Sequence, residues 1–422
     1  MNALFIHQNF PGQFRHVAGH LARDLGWRVV GLGDAANIRP QSAVKGVQTI
    51  GYRFEPVPPS GHAYLRELEA QVRRGQAVLR ALLQIRAKGF VPDVICVHPS
   101  WGEALFLREV YPAARLVSYA EFHYAAEGAD VGFDPEFPAP SLDERCRLRL
   151  RNSAHLQALA ECDMIWSPSQ WQAGRLPEHY RSKVEIIHEG IDTTSIRPLE
   201  GASFRLGDRV LTAADSVLTY VARNLEPYRG FHVFMRALPR ILAENPATHV
   251  VIVGGDDVSY GRKPPGAAHW RERMLDEVGV RLDAARVHFT GRLPFARYLD
   301  LLRISSAHVY LTYPFVLSWS LLEAMACGCA VVASSTPPVE EVIVHGANGL
   351  LVDFFNEDDL VQAVSDLLGA PHRFASLRIR ARKTVEQHYD LRRVCLPGQI
   401  ERLFATTGRG REREAGVTEA CS

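Results

Sequence analysis

Residues 311–334 place groups that could bind a nucleoside diphosphate around the start of one predicted helix. The pattern predicts a loop, a helix over 318–327 and then an apolar strand. The first turn of a helix presents unpaired backbone N–H groups and a partial positive charge, which suit a phosphate. Glu323, one turn further in, could accept hydrogen bonds from two ribose hydroxyls. An ordinary α/β crossover with a surface glutamate fits this segment, taken alone, equally well.

Two arginines six residues apart form a second candidate phosphate site. Arg223 and Arg229 follow the strand predicted near 216–222, and Gly230 comes directly after Arg229. A guanidinium stays charged and can bond two phosphate oxygens at once. Each charge-assisted hydrogen bond contributes roughly 1.5–3 kcal/mol, so two of them could set the affinity for a diphosphate. The alternative interpretation is a pair of solvated loop arginines.

Taken together, these two segments resemble the donor-binding half of glycosyltransferase family 4. In that family an arginine follows this strand, a Lys or Arg precedes the glycine, and both reach the donor pyrophosphate. The loop and helix hold the nucleotide-sugar, and an acid on the helix binds its ribose. The resemblance therefore implies a donor site that includes Arg223, Arg229, Ser318, Trp319, Ser320 and Glu323.

Three further donor contacts follow from the same resemblance. Gly12, in the loop after the first strand, lets a ligand approach the backbone, although a plain turn explains it nearly as well. Gly254 follows the strand predicted near 248–253, where glycines flank the nucleotide in relatives. Leu293 ends a segment similar to the one whose backbone meets the base edge. The loop at Gly12 lacks the Gly-x-Gly-x-x-Gly pattern, which argues against a dinucleotide cofactor.

Two residues after the strand predicted near 115–120 are candidates for contact with the transferred sugar. Many family members carry a histidine at this strand end, which could correspond to His123. A subset with a similar His7-Gln-Asn-Phe-Pro segment carries the acid of a Glu-Phe pair here, which corresponds to Glu121. We keep both residues as catalytic candidates and favour Glu121. Residues 128–136 are expected to form a loop over the acceptor mouth, with acids that could simply be solvated.

The resemblance also implies a mechanism. Arg223, Arg229 and the helix over 318–327 would stabilise the charge that develops on the leaving diphosphate, so no metal is expected. The family retains the anomeric configuration, and front-face attack is expected, with a donor phosphate oxygen drawing the acceptor proton. One residue departs from the family, which commonly has two glutamates separated by seven residues, because counting back from Glu323 gives Phe315. The missing acid could mean a different donor sugar, compensation by Glu121, or a weakened enzyme.

The composition is that of a globular protein without a global attraction to nucleic acid. The chain has 422 residues, of which 47% are hydrophobic, and a formal net charge of +1. No apolar run approaches the roughly 18–20 residues that span a bilayer, and the N-terminus is expected to form a strand, not a signal peptide. Seven cysteines lack the spacing of a disulfide framework or a zinc site. We therefore predict a cytoplasmic protein with free thiols.

Alternating strand and helix patterns predict an α/β protein with two parallel sheets. The resemblance implies the GT-B architecture, in which two Rossmann-like domains face a central cleft. The boundary is placed near 189–198, where the sequence resembles the family's linker, and one long helix is predicted over 376–405. The predicted units are an N-terminal acceptor-binding domain over 1–198, a C-terminal nucleotide-sugar-binding domain over 199–385, a helix over 386–408 that packs back on the first domain, and a disordered tail over 409–422.

These features predict a retaining, metal-independent glycosyltransferase that moves a hexosyl group from a nucleotide-diphosphate sugar to a glycan, lipid-linked or natural-product acceptor. A silent relative that only binds nucleotide-sugar, suggested by Phe315, is a second hypothesis, and a two-domain NAD enzyme is a third. No cofactor is expected besides the donor substrate, and no nucleic-acid partner. The arginine-rich helix predicted over 63–88 could touch an anionic membrane at the inner face, although a solvated domain surface is the favoured interpretation.

Overall fold

The computed structural model describes residues 1–55 and 62–404, which form two parallel sheets covered by helices. The strands of the first domain are β1 (Asn2–Ile6), β2 (Arg28–Asp34), β3 (Val47–Tyr52), β4 (Val94–Val97), β5 (Arg115–Tyr119), β6 (Met164–Ser167) and β7 (Val184–Ile186). They lie in the order β3-β2-β1-β4-β5-β6-β7. The helices are α1 (Arg15–Arg23), α2 (Arg66–Ala87), α3 (Leu107–Val110), α4 (Leu142–Arg151), α5 (Ser153–Glu161) and α6 (Gln170–Gly174).

The second domain begins with a small hairpin and then builds a sheet of six parallel strands. The hairpin is β8 (Ser203–Leu206) and β9 (Arg209–Thr212). The sheet strands are β10 (Val217–Asn224), β11 (His249–Gly255), β12 (Val287–Gly291), β13 (Ala307–Tyr310), β14 (Val331–Ser334) and β15 (Leu350–Val352), in the order β12-β11-β10-β13-β14-β15. The helices are α7 (Phe231–Glu244), α8 (Trp270–Val278), α9 (Phe295–Arg303), α10 (Trp319–Ala326), α11 (Pro337–Glu340), α12 (Glu357–Gly369), α13 (Ala375–His388) and α14 (Leu396–Phe404).

This arrangement confirms the predicted α/β fold with two Rossmann-like domains. Strands such as β4 and β14 are buried along their whole length, because helices cover both faces of a parallel sheet. Each sheet carries its own apolar clusters on its two faces. Among the helices in the described part of the chain, none combines the length and apolar character needed to cross a bilayer.

The C-terminal helix crosses back to the first domain, as predicted, but it is not continuous. The helix predicted over 376–405 breaks after His388, because the Asp390 side chain accepts hydrogen bonds from the backbone N–H groups of Arg392 and Arg393 and starts a new turn. α14 then packs on the first domain, where the Phe404 ring lies 4.7 Å from that of Trp27. The predicted tail over 409–422 lies outside the described residues.

Two elements were not predicted from the sequence. β3 lies at the sheet edge and is half exposed, so it has no continuous apolar run. The β8–β9 hairpin buries Phe204 and Leu211 while its other side chains stay partly or fully exposed. Neither element contains a continuous apolar run, so its local composition gives a weak signal.

Residues 128–137, here called the bridging segment, leave the first domain after β5 and pack on the second. The rings of Phe133 and Phe137 join the apolar core of the second domain. Asp134 accepts hydrogen bonds from His232 Nε2 at 2.9 Å and from Tyr313 OH at 2.6 Å. The expectation that the acids of this loop are solvated is therefore wrong for Asp134 and also for Asp130, since both are buried and accept hydrogen bonds from the second domain.

Candidate functional site

A cavity of about 750 Å³ lies between the two sheets, at the carboxyl ends of their strands. Loops after β1, β4 and β5 line it from the first domain, and the end of β10 with the loop after β13 lines it from the second. A crevice at this position is where open α/β sheets bind their ligands. Of the residues predicted from the sequence, the cavity brings together Gly12, Glu121, Arg223, Arg229, Ser318, Trp319 and Ser320.

Arg229 is a buried cation beside this cavity. Gly230 follows it with a φ of 66°, and a Cβ there would clash with the Leu311 side chain, so glycine is required for the tight turn. Arg229 Nη1 donates to Thr312 Oγ1 at 2.8 Å and to the Val316 carbonyl at 3.1 Å. Both acceptors are neutral, and within the described residues Arg229 forms no ion pair with a carboxylate. Because a buried charge is stabilised by an opposite charge, this guanidinium is suited to a bound anion.

Glu121 and Arg223 come from different domains and line the same cavity. Arg223 is exposed near the end of β10, and Glu121 follows β5 with 32% of its side chain exposed. Gln13 Nε2 donates to Glu121 Oε1 at 2.9 Å, and His98 Nε2 lies 3.4 Å from Oε2. Burial acts to raise the pKa of Glu121, but the hydrogen bond and charge of His98, the charge of Arg223 and the hydrogen bond from Gln13 together lower it. The group is therefore a fixed, ionised carboxylate near neutral pH.

Gly12 lies against the His7 ring in the first-domain wall of the cavity. Its φ is 48°, and a Cβ at this position would come within 2.7 Å of the His7 ring. The backbone N–H of Asn9 donates to His7 Nδ1 at 2.8 Å, and burial lowers the pKa of His7, so the ring is neutral with its proton on Nε2. Gly12 therefore serves the turn and the packing of the loop as well as the approach to the cavity.

The first turn of α10 uses most of its backbone N–H groups inside the protein. The N–H of Ser318 donates to Tyr310 OH at 2.9 Å, and that of Ser320 donates to Ser318 Oγ at 3.3 Å. Of the three residues predicted to cradle phosphate, Trp319 alone has a backbone N–H without a hydrogen bond in residues 1–55 and 62–404. The arginines therefore provide most of the positive charge that this side of the cavity can offer an anion.

Glu323 and His123, both predicted site residues, do not line the cavity. Glu323 accepts a hydrogen bond from Tyr298 OH at 2.8 Å, and burial raises its pKa. The His123 ring lies 6.1 Å from the ring of His155. Because β5 ends at Tyr119, Glu121 and His123 do not share a strand face, and Glu121 alone lines the cavity.

Gly254 and Leu293 also lie away from the cavity wall. A Cβ at Gly254 would come within 2.6 Å of the Leu225 side chain, so close packing accounts for this glycine. Leu293 is partly buried against the apolar cluster that includes residues of α9. Their local environments show packing roles.

Phe315, where the family commonly has an acid, belongs to an aromatic wall of the cavity. Its ring lies 4.6 Å from that of Phe122, 5.6 Å from Tyr228 and 4.8 Å from Tyr260. Phe122 comes from the first domain and the two tyrosines from the second. The Tyr228 hydroxyl donates to Asp130 Oδ2 at 2.9 Å, so this wall presents aromatic side chains to the cavity in place of a carboxylate.

Two residues that sequence reasoning did not select also line the cavity. His98 directly follows β4 and is fully buried, with its ring stacked on Trp101 at 4.1 Å. The rule that ligands bind at strand ends could have found it. Glu189 was interpreted only as part of the linker, and its partners Tyr119 and Trp319 are distant in sequence, so no local pattern indicated it.

The sequence matches two family models, glycosyl transferase family 4 group over residues 25–196 and glycosyl transferases group 1 over residues 215–370. It is 29% identical over 244 residues to a D-inositol 3-phosphate glycosyltransferase of Rhodococcus jostii, a match that covers 56% of this chain and 51% of that protein. The chain thus spans about half the length of these relatives. It is 26% identical to the GDP-mannose-dependent alpha-(1-6)-phosphatidylinositol monomannoside mannosyltransferase of Mycolicibacterium smegmatis, over 67% of this chain and 70% of that one.

Solved structures show the same fold. The sucrose-phosphate synthase of Thermosynechococcus elongatus superposes with a TM-score of 0.71 at 19% identity, covering 96% of this chain and 100% of that one. Anabaena HepE, crystallised with UDP and glucose, superposes with a TM-score of 0.68 at 17% identity and the same coverage. At these identities the likeness shows the arrangement of the two domains and nothing finer.

Proposed function

The chain belongs to the family 4, group 1 glycosyltransferases and has their GT-B fold, and from this premise we propose that it moves a hexosyl group from a nucleotide-diphosphate sugar to an acceptor hydroxyl. The acceptor would be a glycan, a lipid-linked sugar or a natural product. One matched relative is named for GDP-mannose, and HepE has been crystallised with UDP-glucose, which supports a donor of this class. The proposal includes retention of the anomeric configuration and catalysis without a metal.

The observation that carries the proposal is the unpaired positive charge on the second-domain side of the cavity. Arg229 is buried, the acceptors of its hydrogen bonds are neutral, and Arg223 adds an exposed charge on the same side. A diphosphate supplies the opposite charge, and it gains further charge as the anomeric bond breaks. Interactions that strengthen with this charge lower the barrier of the chemical step.

The first domain contributes groups suited to the sugar and the acceptor. Glu121 is ionised and oriented by Gln13 and His98, so its negative charge could stabilise a sugar that becomes oxocarbenium-like in the transition state. In front-face attack, a donor phosphate oxygen takes the acceptor proton, and Arg223 and Arg229 hold that phosphate. Closure of the two domains around the donor would exclude water and so suppress hydrolysis of the donor.

A second candidate is a relative that binds nucleotide-sugar but transfers it slowly. Phe315 favours it, because this residue is 4% exposed and places an aromatic ring where the family commonly has an acid. The two candidates share the donor site and differ in turnover.

A donor screen followed by a transfer assay tests the proposal. UDP-, GDP- and dTDP-sugars are added in a thermal-shift panel, where a donor at a hundredfold excess over its Kd should stabilise the fold by about 2.7 kcal/mol. Arg223→Ala should weaken turnover about tenfold to hundredfold, whereas Arg281→Ala, an exposed arginine outside the cavity, should not. Transfer should continue in EDTA.

The outcomes separate the candidates. Binding with negligible transfer would select the second candidate, and no stabilisation by any nucleotide-sugar would refute both. Loss of transfer in EDTA with rescue by manganese would overturn the metal-independent mechanism and move the leaving-group charge onto a metal site.

A further inference from the structure

Glu189 is a buried carboxylate at the junction of the two domains. It lies between β7 and the start of the second domain, lines the cavity, and is 3% exposed. Gln399 Nε2, from α14, donates to the backbone carbonyls of His188 at 2.9 Å and Glu189 at 3.2 Å. The backbone at this point is therefore held by the helix that crosses between the domains.

The Glu189 side chain is held by neutral donors from both domains. Tyr119 OH, at the end of β5, donates to Oε1, and Trp319 Nε1, at the start of α10, donates to Oε2 at 2.9 Å. His188 Nε2 lies 3.4 Å from Oε2, and burial lowers the pKa of His188. Within the described residues no Arg or Lys forms an ion pair with Glu189, so these hydrogen bonds are what hold its side chain in place.

Two parts of the proposed active site meet at this carboxylate. Trp319 is the first residue of α10 and is flanked by Ser318 and Ser320, which line the cavity. Tyr119 is two residues before Glu121 on the chain. A shift of the second domain relative to the first would separate Trp319 from Glu189, and with it the first turn of α10 from the end of β5.

We propose that Glu189 is a positioning residue that fixes the first turn of α10 against the end of β5, and so aligns the donor side of the cavity with Glu121. The effect of Glu189 on catalysis rests on the proposed function, whereas its contacts with Trp319 and Tyr119 do not depend on it. Glu189 acts through Trp319 and Tyr119.

The contact is tested without any substrate. The chain contains six tryptophans, so ¹⁵N-labelled protein should show six indole N–H resonances, and the one lost in Trp319→Phe belongs to Trp319. Glu189→Gln should move this resonance, because the amide is a weaker acceptor than the carboxylate. Glu185→Gln, which removes a nearby carboxylate paired with Arg402, should leave it in place. An unmoved Trp319 resonance in Glu189→Gln would overturn the proposal.

The consequence is tested by a double-mutant cycle on donor affinity and turnover. Glu189→Gln and Trp319→Phe should each lower kcat/KM about tenfold, mainly through the donor KM, and the double variant should be no worse than Glu189→Gln alone. Trp319 is 40% exposed, so its substitution keeps the fold even if Glu189→Gln is unstable. Fully additive effects, or unchanged donor KM in both variants, would overturn the proposal. A wild type without nucleotide affinity would instead refute the proposed function, while the indole resonance still reports on the contact.

Discussion

Two arginines of the second domain and a carboxylate of the first line the same cavity. They are Arg223 and Arg229 on one side and Glu121 on the other, and charges of the opposite sign, such as Arg151 and Glu226, also line each side. As the anomeric bond of a nucleotide-sugar breaks, the diphosphate gains negative charge and the sugar gains positive character. Interactions of the two arginines with the diphosphate and of Glu121 with the sugar would therefore strengthen in the transition state, which is the condition for catalysis by differential binding.

Substitution of Glu121 should separate the two candidates at the end of β5. Glu121→Gln keeps the shape and removes the charge, so kcat should fall at least about tenfold with a smaller change in donor KM. His123→Ala is the matched control, because His123 does not line the cavity, and its kcat should stay within about threefold of wild type. Steady-state kinetics with the donor found in the screen measures both. A larger loss in His123→Ala than in Glu121→Gln would reverse the assignment.

At the scale of elements, the apolar strands and the residues at their ends could be predicted from the sequence. Arg223 lies at the end of β10, and Arg229 and Glu121 lie in the segments that follow β10 and β5, where ligands of open α/β sheets bind. The predictions that failed concern features that depend on tertiary contacts. The predicted C-terminal helix breaks before Asp390, whose backbone pairs with that of Ile191. The Ser318 N–H, predicted to be free for phosphate, instead donates to Tyr310 OH at the end of a neighbouring strand.

The aromatic wall shows why the departure at Phe315 could be seen in the sequence but not interpreted. Sequence comparison alone left three meanings for the missing acid. The structure places Phe315 against Phe122 of the other domain, so this side chain also contributes to the contact between the domains. A carboxylate there would lose the ring contacts and be buried.

Placing an acid at position 315 should therefore destabilise the fold. Phe315→Glu places a charge among Phe122, Tyr228 and Tyr260, and the free energy of unfolding should fall by at least about 2–3 kcal/mol. Phe315→Leu keeps the site apolar and should cost less. Urea unfolding midpoints compare the two variants with wild type. If Phe315→Glu is as stable as wild type and transfers faster, the pocket accommodates an acid and our interpretation of the aromatic wall is wrong.

At the scale of the whole molecule, the bridging segment fixes how the domains face each other. Its aromatic rings enter the core of the second domain, and Asp134 is 5% exposed between His232 and Tyr313. Burial acts to raise the pKa of Asp134, but the hydrogen bonds from His232 and Tyr313 lower it, so the carboxylate is charged and fully engaged. Opening the cleft at this point would require these contacts to break.

Asp134→Ala should loosen the two domains. The substitution leaves His232 and Tyr313 buried without their acceptor, so the free energy of unfolding should fall by roughly 1–3 kcal/mol for each of the two residues. The radius of gyration from small-angle scattering should rise as well. Glu136→Ala is the control, because Glu136 is a half-exposed partner of Arg236, which keeps Glu277, so at most about 1 kcal/mol should be lost. Equal effects of the two substitutions would show that Asp134 is not the anchor.

The buried histidines should make the whole fold sensitive to acid. Burial lowers the pKa of His155 to about 3 and that of His308 to about 4, from an ordinary value of about 6.5. Both are neutral in the folded protein at a pH where the unfolded chain takes up protons. Because the unfolded state then binds more protons, the free energy of unfolding falls as the pH drops below about 6.5, by up to about 1.4 kcal/mol per pH unit for each histidine.

His155→Leu should make the free energy of unfolding less dependent on pH, because the unfolded chain then takes up one proton fewer. The His155 side chain is 2% exposed, and leucine keeps its site apolar and similar in volume, so folding at neutral pH should persist. Urea unfolding between about pH 7 and pH 5 gives the slope of stability against pH, which is steepest for wild type. His372→Leu, at an exposed position, should keep the wild-type slope. Parallel slopes for wild type and His155→Leu would mean that His155 does not take up its proton on unfolding, and that the acid sensitivity arises elsewhere in the molecule.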